Sequence, residues 1–286
     1  MNLCDYDTIR ALLERRGFHF SKSMGQNFLI DPTVPRRIAE ASGADASCGV
    51  IEIGPGVGPL TAELARRAGR VAAIELDRSL LPVLEETMAP FSNVKIVPGD
   101  ALKLDLSALA AEELPGLTPM VCANLPYNIT TPILTRLAET PSIRSVTVMI
   151  QREVARRVCA APGDPDCGAF SLLMQYRMET ELLFDVPREC FLPAPKVTSS
   201  VIRCVRRERP PVETADESFF FRVIRGAFAL RRKTLLNSLS AAFPEFDKQT
   251  LRGAICAAGL PESIRGERLS LKNFAVLSEE LRKQSA

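Results

Sequence analysis

Val50-Ile51-Glu52-Ile53-Gly54-Pro55-Gly56-Val57-Gly58 is the stretch on which the fold turns. An apolar run suited to a buried strand ends in three glycines spaced two apart, and from about Leu60-Thr61 the residues read as the start of a helix. Glycine lets the backbone approach a ligand closely and take positive φ, and the following helix points its N-terminus at the same place. This is the strand-turn-helix of a nucleoside-binding α/β domain. A dinucleotide fingerprint is excluded by spacing, because it needs G-x-G-x-x-G and here Gly54 and Gly56 are followed by Val57, Gly58 and Pro59. Taken alone, such a turn is equally compatible with a purely structural bend.

Three further strand-like runs end in polar residues, in the order a nucleoside site requires. Val71-Ala72-Ala73-Ile74 leads into Glu75, about 20 residues past the glycines, where a carboxylate accepts from both hydroxyls of a ribose. Val94-Lys95-Ile96-Val97-Pro98-Gly99 leads into Asp100, which suits an adenine amine. Met120-Val121-Cys122-Ala123 leads into Asn124-Leu125-Pro126-Tyr127. There a side-chain amide oxygen and a proline-stiffened run of carbonyls can both accept from one NH2 group, while the Tyr ring offers a face for an unstacked base. Each acid alone reads as a surface charge, and the tetrapeptide alone as a strand exit with a packing Tyr. Open α/β sheets, however, bind ligands beyond the carboxyl ends of their strands, and all four features fall at such ends.

The same alternation extends along the chain. Strand-like runs at 49–53, 70–75, 93–97, 119–123 and 145–150 are separated by helical stretches, which predicts a doubly wound, largely parallel sheet of the Rossmann-like kind. Runs at 176–184 and 200–205 extend it, with antiparallel pairing at the edge. A helix is expected from Thr8 to Arg16, and another from about Pro32. Arg206-Arg207-Glu208-Arg209-Pro210-Pro211 interrupts both periods and divides the chain into residues 1–206 and 207–286. The second part reads as a small all-helical domain, with apolar spacings of three and four in 218–230, 233–242, 248–258 and 271–283.

Composition narrows the class. At 286 residues, with 46% apolar and 24% charged residues and no run approaching a membrane span, the chain suits a globular catalytic domain with an appendix. The first residues carry acids where a secretory leader has positive charge, so a cytoplasmic location and no membrane partner are expected. Eight cysteines form no CxxC pair and His19 is the single histidine, which predicts no metal site and no His-based triad. Cys122 and Cys204 read as small buried hydrophobes. Charge is uneven: from Arg203 onward 16 Lys and Arg stand against 10 Asp and Glu, a net of +6, and the preceding part carries 20 against 24, a net of −4. Arg222, Arg225, Arg231, Arg232 and Lys233 form the densest cluster, suited to a phosphate backbone or, equally, to a solvated helix face.

Glu52-x-Gly54-x-Gly56-x-Gly58, Glu75, Asp100 and Asn124-Leu125-Pro126-Tyr127 resemble the ordered motifs of the S-adenosylmethionine-dependent adenine-N6 methyltransferases. Within that class Lys22-Ser23-Met24-Gly25-Gln26-Asn27-Phe28-Leu29 resembles the entry segment of the ribosomal RNA adenine dimethyltransferases. Phe191-Leu192-Pro193-Ala194-Pro195-Lys196-Val197-Thr198-Ser199-Ser200-Val201 and Arg231-Arg232-Lys233-Thr234-Leu235-Leu236-Asn237 are similar to the 16S small-subunit, kasugamycin-sensitivity branch. They are less like the large-subunit enzymes of macrolide resistance. The likeness runs from about Lys22 to the C-terminus and departs at Cys167, where the family usually carries Tyr.

The resemblance implies a class I methyltransferase sheet that takes S-adenosylmethionine and transfers its methyl directly to adenine N6. Cofactor contacts fall to Asn27, Leu29, Gly54, Glu75, Asp100 and Asn124. Asn124 and the Leu125 carbonyl would orient the target amine beside Pro126, and Tyr127 would stack on the base with Phe191 as a second face. Lys22 joins the basic cluster toward RNA. The implied substrate is 16S rRNA in the small (30S) subunit, dimethylated at two adjacent adenosines near its 3′ end; a monomer is the default expectation. The alternatives are a 23S rRNA dimethyltransferase and a non-catalytic RNA-binding assembly factor on the same fold.

Overall fold

The computed structural model describes residues 1–15 and 27–284. The chain forms two compact units, one of residues 1–155 with 179–206, the other of 156–178 with 207–286.

The first unit opens with α1 (Tyr6–Arg15), whose Ile9, Leu12 and Leu13 share one buried face. β1 (Phe28–Leu29) and α2 (Thr33–Ser42) follow, α2 ending on Gly43 in the left-handed conformation that closes helices. Strands and helices then alternate: β2 (Cys48–Ile53), α3 (Pro59–Ala65), β3 (Arg70–Glu75), α4 (Leu81–Met88), β4 (Val94–Pro98), α5 (Leu106–Glu113), β5 (Thr118–Asn124), α6 (Thr130–Ala138), β6 (Ser145–Gln151) and α7 (Arg152–Cys159). α5 is capped by Asp105, whose side chain accepts from the Ser107 and Ala108 N–H groups. α8 (Ala169–Arg177) leads into β7 (Met178–Val186), β8 (Phe191–Leu192) and β9 (Ser199–Arg206).

The main sheet runs β4-β3-β2-β5-β6-β9-β7. β4, β3, β2, β5 and β6 pair in parallel, and β9 is antiparallel to β6, with Met149 opposite Val201. Counted within this sheet alone, the order is 3-2-1-4-5-7-6, the Rossmann-like arrangement expected, with an antiparallel insertion near one edge. Every residue of β2 is buried, as a strand covered by helices on both faces must be. Strand order reverses at β2. The carboxyl ends of β2 to β5, carrying the glycine turn, Glu75, Asp100 and Asn124, therefore gather at one topological switch point, where α/β sheets hold ligands.

The helical unit adds α9 (Glu217–Ala227), α10 (Leu235–Ala242), α11 (Lys248–Ala257) and α12 (Leu271–Lys283), each begun by a side-chain cap: Asp216, Thr234, Asp247 and Ser270. Its core joins Phe220, Leu239, Phe243, Leu251, Phe274 and Leu277 to Leu172 and Tyr176 of α8. That packing is why residues 156–178 group with the helical unit, where the sequence suggested a single cut at 206/207. It also explains why the strand foreseen from 176 starts at Met178: the Tyr176 ring packs 5.4 and 5.1 Å from those of Phe220 and Phe221, which keeps it in α8. α10 begins at Leu235, two residues later than its apolar spacing suggests, because Thr234 caps it; Arg231, Arg232 and Lys233 thus lie in the preceding loop. Cys122 and Cys204 are fully buried. Among the described residues no helix is long and apolar enough to cross a membrane.

Candidate active site

Two glycines shape the floor of a cavity at the switch point. Gly54 and Gly56 have φ of 71° and 63°, which residues with a Cβ rarely adopt. A Cβ on Gly56 would stand 3.2 Å from the Phe28 ring, and one on Gly54 3.6 Å from Pro126. The turn is tied to β3: Gly54 N–H donates to the Ile74 carbonyl (2.9 Å) and Gly56 N–H to Glu75 Oε2 (3.4 Å). Around it the cavity is lined by Asn27 and Leu29, by Glu52 and Glu75, by Gly99 and Asp100, and by Asn124 through Ile129, among others.

Each polar side chain is fixed from behind. Glu75 is buried, and its Oε1 accepts the Asp77 N–H at 2.8 Å. Burial pushes its carboxyl up from the ordinary range. Asp100 Oδ1 accepts the Leu102 N–H (2.9 Å) and its Oδ2 faces Lys103 Nζ at 3.8 Å. The loop beyond Asp100 is clamped by Arg136 of α6, whose guanidinium donates to the Leu102 and Leu104 carbonyls. Asn124 Nδ2 donates to the Asn27 carbonyl (3.4 Å), leaving Oδ1 as the acceptor of that amide. Leu125 is buried with its N–H on the Met149 carbonyl at 3.1 Å. The Pro126 carbonyl is taken by the Ile129 N–H and by Thr130 Oγ1, both at 3.2 Å, so the run of carbonyls anticipated from the sequence narrows to that of Leu125. Tyr127 is half-buried, its hydroxyl 2.7 Å from Ser199 Oγ, and burial raises the phenol further above its ordinary range.

Of the ten positions expected here, nine, Asn27, Leu29, Gly54, Glu75, Asp100, Asn124, Leu125, Pro126 and Tyr127, line this one cavity. Phe191 does not. It pairs with Leu29 in a short ladder between β1 and β8 and is 3% exposed in a core with Val34, Ile38 and Val201, so its ring is not available as a second stacking face. Lys22 and His19 lie outside the described residues. In the helical unit Arg225, Arg232 and Lys233 are exposed, and Arg231 donates to the Pro165 carbonyl at 2.7 Å. Arg222 is held by Glu245 (2.6 Å) over the Phe243 ring at 4.4 Å. Cys167, where the family usually carries Tyr, is fully buried in that unit's core with Leu172, a packing position. Among the described residues no group of three or more His, Cys, Asp or Glu is placed to hold a metal ion.

Glu52 stands in the glycine motif without a role assigned to it from sequence, and Arg136 carries no local signal at all. The signal for Glu52 was present: a carboxylate between two isoleucines of a buried strand. Glu52 is 1% exposed and lines the cavity, its Oε2 has no hydrogen-bond partner, and burial, reinforced by Glu75, pushes its carboxyl up to about 8. A folded-state value above the unfolded 4.5 means that the protonated form stabilises the fold fully below pH 4.5, and that this contribution is lost as pH rises through about 8. Glu52→Gln, permanently neutral, is therefore expected to melt with wild type at pH 4.5 and progressively above it by pH 9. A pH-independent difference in thermal midpoint would contradict this state of Glu52.

A cavity lined by three carboxylates over a glycine floor suits a ligand bearing hydroxyls, an amine and positive charge. The profile of the family described as "Ribosomal RNA adenine dimethylase" matches residues 17–258. The chain is 46% identical over 276 residues to the "Ribosomal RNA small subunit methyltransferase A" of Geobacillus sp. (strain WCH70), covering 95% of both chains. It is 47% identical to the protein of the same name from Geobacillus kaustophilus (strain HTA426), covering 95% of this chain and 94% of that one. Among solved structures it resembles the 23S rRNA methyltransferase ErmE, with TM-score 0.70, 27% identity, and coverage of 89% of this chain and 99% of that one. A dimethyladenosine transferase from Plasmodium falciparum shares the fold, with TM-score 0.75, 23% identity, and coverage of 90% and 98%.

Proposed function

Because the chain belongs to the ribosomal RNA adenine dimethylase family, we propose that it dimethylates N6 of two adjacent adenosines in the 3′-terminal hairpin loop of 16S rRNA, within the small ribosomal subunit in the cytoplasm. One observation carries the chemistry: Asn124, its amide oriented by the Asn27 carbonyl, shares a cavity with Glu75 and Asp100. Relatives named for the small subunit stand at 46–47% identity across 95% of the chain, against 27% for a structure named for 23S rRNA, which favours the small subunit as substrate.

S-adenosylmethionine supplies the methyl group on a positively charged sulfur. The cavity fits it residue by residue. Glu75 would accept from the ribose hydroxyls and Asp100 from the adenine amine, with Asn27, Leu29 and the Gly54 turn enclosing the remainder. Once ionised, the buried acids Glu52 and Glu75 favour the cation, so its binding draws a proton off them. The target adenine, flipped from its loop, would stack on Tyr127. Flipping costs only a few kcal/mol for a loop base. Its amine is a poor nucleophile because the nitrogen lone pair is conjugated with the ring. Asn124 Oδ1 and the Leu125 carbonyl accept the amine hydrogens, so the nitrogen can become pyramidal with its lone pair toward the methyl. No covalent link to the protein is required, and the proton leaves nitrogen after each transfer.

Calorimetric titration of the folded protein with S-adenosylmethionine tests the cofactor assignment; a folded protein that takes up none would overturn it. For the RNA, replacing Arg231, Arg232 and Lys233 together with Ala is expected to weaken binding and to reduce the slope of log affinity against log salt by about two to three, one phosphate contact each. An unchanged slope would make the loop a solvated surface.

A further inference from the structure

The 191–201 segment stands out in the sequence, yet its aromatic residue Phe191 is buried away from the cavity. The segment reaches the site by another residue. Ser199, the first residue of β9, is 0% exposed, and its Oγ lies 2.7 Å from the Tyr127 hydroxyl, 72 residues away in the chain. Both ends of this contact are anchored. β9 is laddered against β6 with Ser199 opposite Gln151, and the Thr198 carbonyl accepts the Arg152 N–H at 3.0 Å. The next residue, Ser200, donates to Asp185 Oδ1 of β7 at 2.5 Å. On the other side, Tyr127 opens a single 3-10 turn, Tyr127–Ile129, directly after Pro126 and close behind the Asn124 and Leu125 acceptors. A Tyr in so short a turn has two side-chain torsions to lose, and fastening the hydroxyl removes both before a base arrives.

We propose that Ser199 is a positioning residue for the methyl-transfer step: by holding the Tyr127 hydroxyl it fixes the plane on which the flipped adenine stacks. The proposal rests on the reading of Tyr127 as that stacking face. It makes β9, the antiparallel insertion in the sheet, the template for the target base, while the parallel strands hold the cofactor.

Ser199→Ala, Tyr127→Phe, the double variant and Tyr127→Ala, assayed on unmethylated small subunits, test it. Ser199→Ala and Tyr127→Phe remove the same hydrogen bond from opposite ends, and each is expected to lower kcat/KM for the RNA about five- to thirtyfold. The double variant should be no worse than either single one, since the interaction is already gone. Affinity for S-adenosylmethionine, measured by calorimetry, should stay as in wild type in Ser199→Ala, Tyr127→Phe and the double variant, all of which keep the ring. Additive losses, a wild-type rate for Ser199→Ala, or a parallel fall in cofactor affinity would overturn the proposal, the last by showing a merely structural role in the sheet. If Ser199→Ala fails to fold, Tyr127→Phe alone decides: a wild-type rate there removes any role for the hydroxyl. Tyr127→Ala separates the two readings. If it transfers methyl at the wild-type rate, Tyr127 itself is misassigned; if it is slow while Ser199→Ala is normal, only the role of Ser199 falls.

Discussion

Asn124→Ala lowers the maximal rate of methyl transfer on the order of 10²- to 10³-fold, the usual effect of removing one preorganised group that acts on the reacting atoms. Cofactor affinity changes little. The asymmetry follows from where the amide points. Its Nδ2 is spent on the Asn27 carbonyl, so the variant loses the Oδ1 acceptor through which the target nitrogen is made nucleophilic. The cofactor retains Glu75, Asp100 and the glycine turn. Asn124→Asp is an instructive partner. It keeps an acceptor but cannot donate to Asn27, and it adds a fourth carboxylate to a cavity that already holds Glu52, Glu75 and Asp100. It too should be slow, with orientation lost and acceptance kept. Rates at saturating cofactor and RNA, set beside calorimetric affinities, decide the point; equal losses in rate and cofactor affinity for Asn124→Ala would remove it from the chemical step.

Glu75→Ala has the opposite signature, with affinity for S-adenosylmethionine falling about 30- to 100-fold, as expected for two hydrogen bonds to a charged group in a buried site. At saturating cofactor the rate falls by only a few-fold. Glu75 does two jobs at once. It would face the ribose, and it accepts the Gly56 and Asp77 N–H groups, so its loss also loosens the turn that forms the cavity floor. Its burial adds a pH dependence. The carboxyl is raised by desolvation, so the empty site favours the protonated acid and a cationic ligand favours the ionised one. Cofactor affinity should therefore strengthen as pH rises through the titration of Glu75 and Glu52, with proton release on binding seen as a buffer-dependent heat. Glu75→Ala should show less of that release. Undiminished release would assign it to Glu52 alone.

The parallel strands were legible because strands buried on both faces read as unbroken apolar runs, and the polar residue that ends each run marks the site. Gly54, Glu75, Asp100 and Asn124 are found this way because each breaks a pattern at its last position. Phe191 was misleading for a physical reason: an aromatic in a proline-rich segment looks exposed, but its two-residue pairing with β1 draws it into the core. Ser199, Arg136 and the place of 156–178 could not be read from the chain, since each depends on a contact made far along it. Tyr127 meets Ser199 across 72 residues, and Arg136 reaches back 32 and 34 residues to the loop after Asp100. Tyr176 takes a helical place because Phe220 and Phe221 receive its ring. Local pattern carries no trace of such partners. Glu52 lies between these cases, visible as an anomaly in a strand though without a role until its neighbours are seen.

The most direct test is transfer of labelled methyl from S-adenosylmethionine to unmethylated small ribosomal subunits, with large subunits as control and the RNA digested to nucleosides. Label in N6,N6-dimethyladenosine from the small subunit alone is the predicted result. Label in the large subunit instead would contradict the assigned substrate, and cofactor binding without transfer to either particle would make the chain an RNA-binding factor that has kept the fold and the site but not the reaction.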